Sequence, residues 1–243
     1  FTEMNGPIVE SSFFCLDALF MPQDHPARGI HDQYCVKGEA DLSKYKQFLS
    51  GVKLAHESGG DTGSTGWNIP FSTAKTKELI LRSQGTALSA RTLVAHGEKD
   101  GKYFSIARTY RPDVLDKSHL TEFNQVEGIV IGKDVNFAQL LSLLREFAKK
   151  LAGVKDEDIM FMPGYFPFTE PSVECFIRHP KHGWIELLGA GMFRPEVTVP
   201  LGVTKQVLAW GIGVDRLFMV REGLKDIRQL FSDDLKWLRE VKL

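Results

Sequence analysis

The sequence predicts an α+β domain in which helices flank an antiparallel β-sheet. Several strand patterns follow one another with few helices between them, which favours antiparallel pairing over a doubly wound parallel sheet. At 243 residues, the chain is long enough to bury a substantial core. The strand patterns occupy Tyr103–Tyr110, Val126–Ile131, Val173–Arg178, Trp184–Leu188 and Gln206–Trp210.

Three segments have the period of a helix. From Asp134 to Lys150 apolar residues recur at helical spacing, and this is the clearest pattern in the chain. Asp134 or Asn136 can cap its start, and Gly153 follows its end. Two shorter helices are predicted at Gly213–Val220 and Asp233–Val241.

Glycine, proline and small polar residues mark the interruptions. Asp61–Gly66 predicts an exposed loop or insertion at about residues 57–68. Gly191–Pro195 is predicted to end the preceding strand. His179–His182 is typical of a turn and not of a pair of metal ligands. No repeat or long linker divides residues 1–243, so we expect one domain.

Composition narrows the class of protein. The 30 basic and 31 acidic residues give a formal charge of −1, so any RNA contact must be local or supplied by a partner. Three widely spaced cysteines predict no disulfide framework and a reducing, cytoplasmic location. No apolar run is long enough for a membrane span, and no signal-peptide pattern is present. Because the chain starts at Phe1, we expect a fragment or processed piece.

A long polar loop joins the first two predicted strands. Loops of the length of Pro112–His119 are uncommon without a function, although a solvated hairpin would also explain this one. Arg111 offers a planar fork of donors to a phosphate oxygen, and His119 can hold a more distal phosphate. Phe123, beyond the loop, can stack under a purine ring.

The strand that follows this loop carries two further polar residues. Gln125 and Glu127 alternate onto one face of the strand. Together they could hold a polar head group such as an ammonium.

A second candidate site is the glycine-rich segment Leu208–Arg216. It invites a dinucleotide-binding interpretation, but Arg216 stands where the third glycine belongs, and no parallel βαβ unit surrounds it. An arginine on the first turn of a helix suits a phosphate clamp. The alternative is a structural Arg216 paired with Asp215 or another acid.

Aromatic residues distinguish the third candidate, Gly164–Ser172. Pro167 and Pro171 stiffen an extended run, so Phe166 and Phe168 point to one face. Two aromatic rings on one face can grip an aromatic side chain edge to face. Ordinary core packing would also account for them.

The fourth candidate is Glu186, which lies in an otherwise apolar strand. A carboxylate buried there would need an arginine or a metal ion as its partner. Mg²⁺ bound mainly through ATP phosphates and water would serve. The sequence has no zinc motif, nucleophilic triad or Walker loop.

In this order, the segments resemble the α subunit of phenylalanyl-tRNA synthetase, a class II aminoacyl-tRNA synthetase, in its archaeal and eukaryotic form. The resemblance covers nearly the whole chain and implies the class II antiparallel sheet flanked by helices. It also implies that the N-terminal tRNA-contacting region of the family is absent. The matching motifs are His25–Arg28, Arg111 with Phe123–Gly128, Tyr165–Pro171, Glu186 with Gly189–Met192, Gly211–Leu217 and Asp226–Leu230.

The resemblance implies an ATP site in which Arg111 and Arg216 are the catalytic residues. Arg111 would bind the α-phosphate, and Arg216 would lie near the γ-phosphate, across the adenine from Phe123. Glu186 would lie near Mg²⁺. The implied ATP-binding residues are Arg111, Asp113, His119, Phe123, Glu186 and Arg216.

An amino-acid site is implied beside it. Gln125 and Glu127 would bind the substrate ammonium. Phe166 and Phe168 would flank the phenyl ring, and Ala209 would form the floor of the pocket. The implied substrate-binding residues are Gln84, Thr86, Gln125, Glu127, Phe166, Phe168, Ala209 and Gly211.

The implied reaction is activation of phenylalanine with ATP, followed by transfer to tRNA(Phe). The implied partner is a β subunit in an α₂β₂ heterotetramer. Two departures concern the polar end of the substrate: Ser83–Gly85 replaces the usual Thr-His-Thr, and His31 stands where bacterial members have Trp. A related ligase for another amino acid, such as phosphoserine, and an ATP-binding regulatory module remain alternatives.

Overall fold

The computed structural model describes residues 1–29, 31–179 and 183–241, so most of the turn expected at 179–182 lies outside the described residues. The described strands are β1 (Thr2–Glu3), β2 (Val9–Ser11), β3 (Cys35–Glu39), β4 (Glu78–Leu81), β5 (Gly101–Tyr110), β6 (Glu122–Gly132), β7 (Ile159–Pro163), β8 (Thr169–His179), β9 (Gly183–Phe193) and β10 (Gln206–Gly213).

The helices mostly lie between these strands. They are α1 (Ser12–Cys15), α2 (Lys46–Ser58), α3 (Thr86–His96), α4 (Phe137–Ala152), α5 (Pro195–Thr198), α6 (Val214–Arg221) and α7 (Leu235–Glu240). Short 3₁₀ turns join several of them, including Ile227–Phe231 near the C-terminal end. None of the helices in the described residues combines the length and the apolar character that crossing a membrane requires.

The main sheet has the strand order β1-β5-β6-β10-β9-β8-β7 within the described residues. Its pairs are antiparallel except that the short β1 runs parallel to β5. A second, small sheet has the order β2-β4-β3. The predicted α+β class with an antiparallel sheet flanked by helices is therefore confirmed.

The two faces of the main sheet carry separate hydrophobic clusters. On one face, Leu208 and Trp210 of β10 pack with Leu140 and Leu144 of α4. The opposite face packs against the N-terminal region and α3, for example through Ile129. This second face is the one on which the candidate site opens.

The clearest predicted helix forms with the caps that its sequence offers. Asn136, and not Asp134, is the N-cap, and it forms a capping box with Gln139. Gly153 ends the helix in the left-handed conformation, with φ of 67°. The apolar stripe of this helix therefore faces the sheet, as its period predicts.

The structure confirms the predicted strands, and each one extends beyond the residues that its pattern indicated. The break predicted at Gly191–Pro195 is wrong at its start, because β9 continues to Phe193. Gly191 pairs with Ser172 on one side and Ala209 on the other, so this glycine belongs to the sheet interior. Its lack of a side chain is needed there, since a Cβ would lie 2.5 Å from the Thr169 Cβ.

The sequence pattern did not predict helix α3, because most faces of this helix are buried. Seven of its residues are buried, from Thr86 to Leu93, and its apolar and polar residues do not separate into two sides. A helix buried in this way lacks the polar stripe that makes the period visible. This matters for the site, since Thr86 lies at its first turn.

In the segment predicted as a loop at about residues 57–68, Glu57 and Ser58 still belong to α2, and residues 59–68 form a compact series of turns. Its tip is exposed, while Trp67 stacks on Phe20 with ring centroids 4.8 Å apart. The Trp67 indole N–H donates to the Phe20 carbonyl at 3.0 Å. The segment is thus anchored to the core at its end.

Candidate active site

A cavity of about 500 Å³ opens on the α3 side of the main sheet. Side chains from widely separated parts of the sequence line it. They include every site residue predicted from the sequence: Gln84, Thr86, Arg111, Asp113, His119, Phe123, Gln125, Glu127, Phe166, Phe168, Glu186, Ala209, Gly211 and Arg216.

Strand register brings these residues together. Gly211 of β10 lies opposite Glu127 of β6, and Gly213 lies opposite Gln125. Directly opposed residues in an antiparallel pair point to the same face. On the other side of β10, Gly189 of β9 lies opposite Gly211. Polar side chains from β6 therefore stand beside strands whose residues on this face have little or no side chain.

The glycines on this face are required by close approach. A Cβ on Gly211 would lie 2.6 Å from both Gln125 Nε2 and Glu127 Oε1. A Cβ on Gly189 would lie 2.5 Å from the ring of Phe166. The polar pair and the aromatic residue thus occupy space above glycines, on opposite sides of the cavity floor.

Arg111 lies at the entrance to the long loop between β5 and β6. Its Nε–H donates to the Ser83 carbonyl at 3.0 Å, and its guanidinium carbon is 5.3 Å from the centroid of the Phe123 ring. The Arg111 backbone N–H donates to the Thr121 carbonyl at 2.9 Å and closes the loop. Its remaining guanidinium donors are oriented by these contacts.

Arg216 is not paired with Asp215, contrary to the structural alternative. The buried Asp215 carboxylate instead accepts from the Asn124 backbone N–H at 2.6 Å and from its side-chain amide at 2.9 Å. Arg216 Nη2 makes a long hydrogen bond of 3.4 Å to the Ser118 carbonyl. Arg216 and Arg111 line the same cavity, so two guanidinium groups converge on one volume.

The loop carrying His119 is organised by Asp116, a residue that was not among the predicted site residues. The Asp116 carboxylate accepts from the backbone N–H groups of Ser118 at 2.7 Å and His119 at 2.8 Å. These bonds lower the pKa of Asp116 well below its usual range, the Ser118 N–H contributing most. His119 Nδ1 also lies 3.0 Å from the same carboxylate. Asp-x-Ser-His is a turn signal that could have identified Asp116 in advance.

The amide of Gln125 has a fixed orientation. Its Oε1 accepts from the Gly85 backbone N–H at 3.1 Å. Because a backbone N–H can only donate, the oxygen must face it, and the Nε2 donor group lies over Gly211 in the cavity. Gln125 therefore offers mainly donors to a ligand, whereas Glu127 offers acceptors.

Glu127 is a buried carboxyl group at the cavity floor, with 2% of its surface exposed. Burial raises its pKa to about 8, while a hydrogen bond from Thr86 and the charge of Arg111 act in the opposite direction. No Lys, Arg or His in the described residues forms an ion pair with it. Without a ligand, Glu127 is therefore largely protonated at neutral pH.

Glu186 corrects one prediction. It was expected to be a buried carboxylate in need of a partner, but its side chain is exposed at the rim of the cavity. A β-bulge explains how it faces the cavity at all: Phe176 pairs with Glu186 and Cys175 with Leu188, so Leu187 is an extra residue. The bulge reverses the alternation, and Glu186 shares a face with Gly189.

Phe166 and Phe168 form the aromatic side of the cavity. Their rings are nearly parallel, with an interplanar angle of 17° and centroids 5.9 Å apart. A third ring stacked between them would need about 7 Å, two contact distances of about 3.5 Å each. An aromatic ligand would therefore meet their edges and exposed faces, and Ala209 leaves room beside them.

The family of the chain follows from comparison with known proteins. The model of the class II tRNA synthetase core domain (F) matches residues 1–241. The chain belongs to this family. It is 50% identical over its full length to the phenylalanine–tRNA ligase alpha subunit of Thermococcus kodakarensis, of which it covers 48%. It is 52% identical over 98% of its length to that of Treponema pallidum (strain Nichols), covering 43%. The chain spans about half the length of these relatives.

Against this class II core, the two departures noted in the sequence have different consequences. Gln84 Nε2 donates to the Cys15 carbonyl at 2.8 Å, so its amide is fixed to the core beside the cavity. Gly85 is needed where it stands, since a Cβ would lie 2.4 Å from Glu127 Cγ. His31 is exposed and is not among the residues that line the cavity.

A divalent cation would find few protein ligands in this class II core. No cluster of three or more His, Cys, Asp or Glu side chains suited to a metal occurs within 1–29, 31–179 and 183–241. At the cavity, the oxygens of Glu186 and Asp113 are of the type that Mg²⁺ prefers. These residues fit an ion that takes most of its ligands from phosphate and water.

The raised pKa of Glu127 predicts a pH-dependent cost to stability. Folding raises the pKa of this carboxyl from about 4.3 to about 8, so the folded state binds its proton more tightly than the unfolded state does. The contribution of this group to the free energy of unfolding is therefore fully present below about pH 4.3 and is lost as pH rises through about 8. Glu127→Gln cannot ionise. Its free energy of unfolding should therefore rise relative to the unsubstituted protein between pH 6 and pH 9, measured by denaturant titration without ligands. A difference between the two proteins that does not change with pH would contradict this.

Proposed function

We propose that this chain is the catalytic core that activates phenylalanine with ATP and transfers it to tRNA(Phe). The observation that carries the proposal is the convergence of Arg111 and Arg216 on one cavity that also has an aromatic side and a buried carboxyl group. Relatives about 50% identical to the chain bear the name phenylalanine–tRNA ligase alpha subunit. The residues that line the cavity and the names of these relatives both support activation of phenylalanine with ATP.

ATP binds between the two arginines. Arg111 takes the α-phosphate, because its fork of donors stands at the strand end beside Phe123, on which the adenine stacks. Arg216 takes the distal phosphates and exchanges its weak bond to the Ser118 carbonyl for a charged partner. His119 and Asp113 approach from the loop. Mg²⁺, held near Glu186, would neutralise phosphate charge when bound.

Phenylalanine binds beside the phosphates as a zwitterion. Its ammonium lies against Glu127, the buried acceptor, and gives this carboxylate the counter-charge that it lacks in the empty site. The Gln125 Nε2 donor suits the substrate carboxylate better than the ammonium, since its carbonyl oxygen already accepts from Gly85. The phenyl ring extends over Ala209 and Gly211 toward Phe166 and Phe168.

Activation needs no general base in this arrangement. The substrate carboxylate is already ionised at neutral pH and attacks the α-phosphorus in line, which releases pyrophosphate and leaves phenylalanyl-adenylate. Catalysis comes from orientation and from positive charge on the phosphates. The phenylalanyl group is then transferred from the adenylate to a hydroxyl at the 3′ end of tRNA(Phe), which releases AMP. A β subunit completes the enzyme, as the name "alpha subunit" of the relatives suggests.

The deciding experiment is amino-acid-dependent ATP–pyrophosphate exchange with the full-length protein, with and without a β subunit. Exchange with phenylalanine alone among the twenty amino acids is the expected result. Exchange that requires phosphoserine would favour a related ligase. ATP binding without any exchange would favour a regulatory module.

Arg111→Ala should reduce exchange by at least a hundredfold, since it removes the charge that stabilises the α-phosphate in the transition state. The melting temperature should change little, because Arg111 is exposed. Arg178→Ala is a matched control: Arg178 is also exposed, pairs with Asp158 and does not line the cavity. Activity of Arg111→Ala within tenfold of the unsubstituted enzyme would contradict the role.

Ala209→Trp should raise the KM for phenylalanine by at least tenfold while the KM for ATP changes little. The indole would fill the space between the aromatic side and the polar pair, away from Arg111 and Phe123. Steady-state exchange kinetics give both constants. Unchanged phenylalanine binding, in a variant whose ATP kinetics show that it is folded, would place the phenyl ring elsewhere.

A further inference from the structure

A segment near the C-terminal end closes one side of the cavity. After α6, the 3₁₀ turn Ile227–Phe231 returns to the loop between β5 and β6. Ile227 begins this turn, is buried, and lines the cavity together with His119 and Arg216. None of the roles discussed above involves this residue.

The turn is attached to the site in two places. The Ile227 backbone N–H donates to the Lys117 carbonyl at 2.9 Å. At the other end, the Arg108 guanidinium lies 5.6 Å from the centroid of the Phe231 ring, and Arg108 Nε–H donates to Asn124 Oδ1 at 3.1 Å. The turn is therefore connected both to the phosphate-binding loop and to the strand that carries Phe123.

The loop itself has few other attachments. Asp116 organises it internally, and Val114 is 84% exposed. Within the described residues, two hydrogen bonds join residues 112–120 to the rest of the protein: Ile227 N–H to Lys117 O, and Arg216 to Ser118 O. The second is long, and Arg216 gives it up if it binds phosphate. The bond from Ile227 is then the one that persists.

We propose that Ile227 is a positioning residue for the nucleotide. Its N–H holds the Lys117 carbonyl, which fixes the loop that brings Asp113 and His119 to the phosphates, and its side chain closes the cavity beside them. The inference rests on the proposed function in one respect, namely that the cavity binds ATP. The hydrogen bond and its effect on the loop do not depend on that function.

One substitution removes the N–H donor without straining the backbone. Ile227 is the first residue of its turn, a position where proline is favoured because the N–H has no partner within the helix. Asp226 has φ −147° and ψ 121°, the extended conformation that a residue before proline adopts. Ile227→Pro therefore fits the backbone and abolishes the bond to Lys117.

The chain offers a closely matched control. Leu235 follows an Asp N-cap and begins α7, as Ile227 follows Asp226, but its side chain is 65% exposed and it does not line the cavity. Leu235→Pro makes the same kind of change away from the site. Ile227→Val keeps the N–H and shortens the buried side chain, so it shows the effect of a side-chain change alone.

The first measurement is hydrogen–deuterium exchange of residues 112–120 in the full-length protein without ligands. Ile227→Pro should accelerate exchange there at least fivefold, whereas Leu235→Pro and Ile227→Val should not. An unchanged rate in Ile227→Pro would overturn the proposal, whether or not the protein activates phenylalanine.

The second measurement is ATP–pyrophosphate exchange. Ile227→Pro should raise the KM for ATP about fivefold, the effect typical of one net hydrogen bond, and leave the KM for phenylalanine within twofold. An equal rise in both constants would indicate general structural damage and overturn the positioning role. So would an equal rise in the KM for ATP in Ile227→Val. If the unsubstituted protein shows no exchange, the proposed function fails while the first measurement still tests the loop.

Discussion

The register between β6 and β10 is the constraint on which the site depends. With Gly211 opposite Glu127 and Gly213 opposite Gln125, polar side chains stand over positions that have no side chain. A slip of one residue inverts the faces of one strand relative to the other, so it would either turn Gln125 and Glu127 to the α4 side of the sheet or turn Trp210 to the cavity side. The long pairing of β5 with β6, from Gly101 to Tyr110, holds β6 on its other edge and places Arg111 directly after the last paired residue.

A second constraint is electrostatic. Glu127 is buried without a cationic partner in the described chain, so its ionisation is unfavourable until a positive group arrives. A buried acceptor of this kind discriminates strongly, because only a ligand that supplies charge at that point offsets the cost of desolvation. The fixed amide of Gln125 adds a donor beside it. In the proposed function, the pair would bind the head group of an α-amino acid, and the aromatic residues would determine which side chain is accepted.

Asp215 connects parts of the site that are far apart in sequence. Its carboxylate binds the backbone and side chain of Asn124 just beyond the last β6–β10 pair, Gln125 with Gly213. It therefore extends the strand ladder by one step and ties the strand of Phe123 to the helix of Arg216. Arg108 continues the connection from Asn124 to the C-terminal turn. The relative positions of the Phe123 ring, Arg216 and the C-terminal turn thus depend on a few buried or half-buried polar contacts.

The sequence by itself determined the fold class, the position of helix α4 and many of the residues that line the cavity, because these depend on local period and on recognisable motifs. It left both Asp134 and Asn136 open as the cap of that helix. Tertiary structure decided the rest. Glu186 faces the cavity only through a bulge, and it is exposed where its apolar strand suggested burial. The turn at Asp116 is local, and its Asp-x-Ser-His signal stands in the sequence. Helix α3 and the contact of Ile227 were not predicted, since they arise from contacts between distant segments: burial on most faces of the helix, and one backbone N–H that meets a loop more than a hundred residues away.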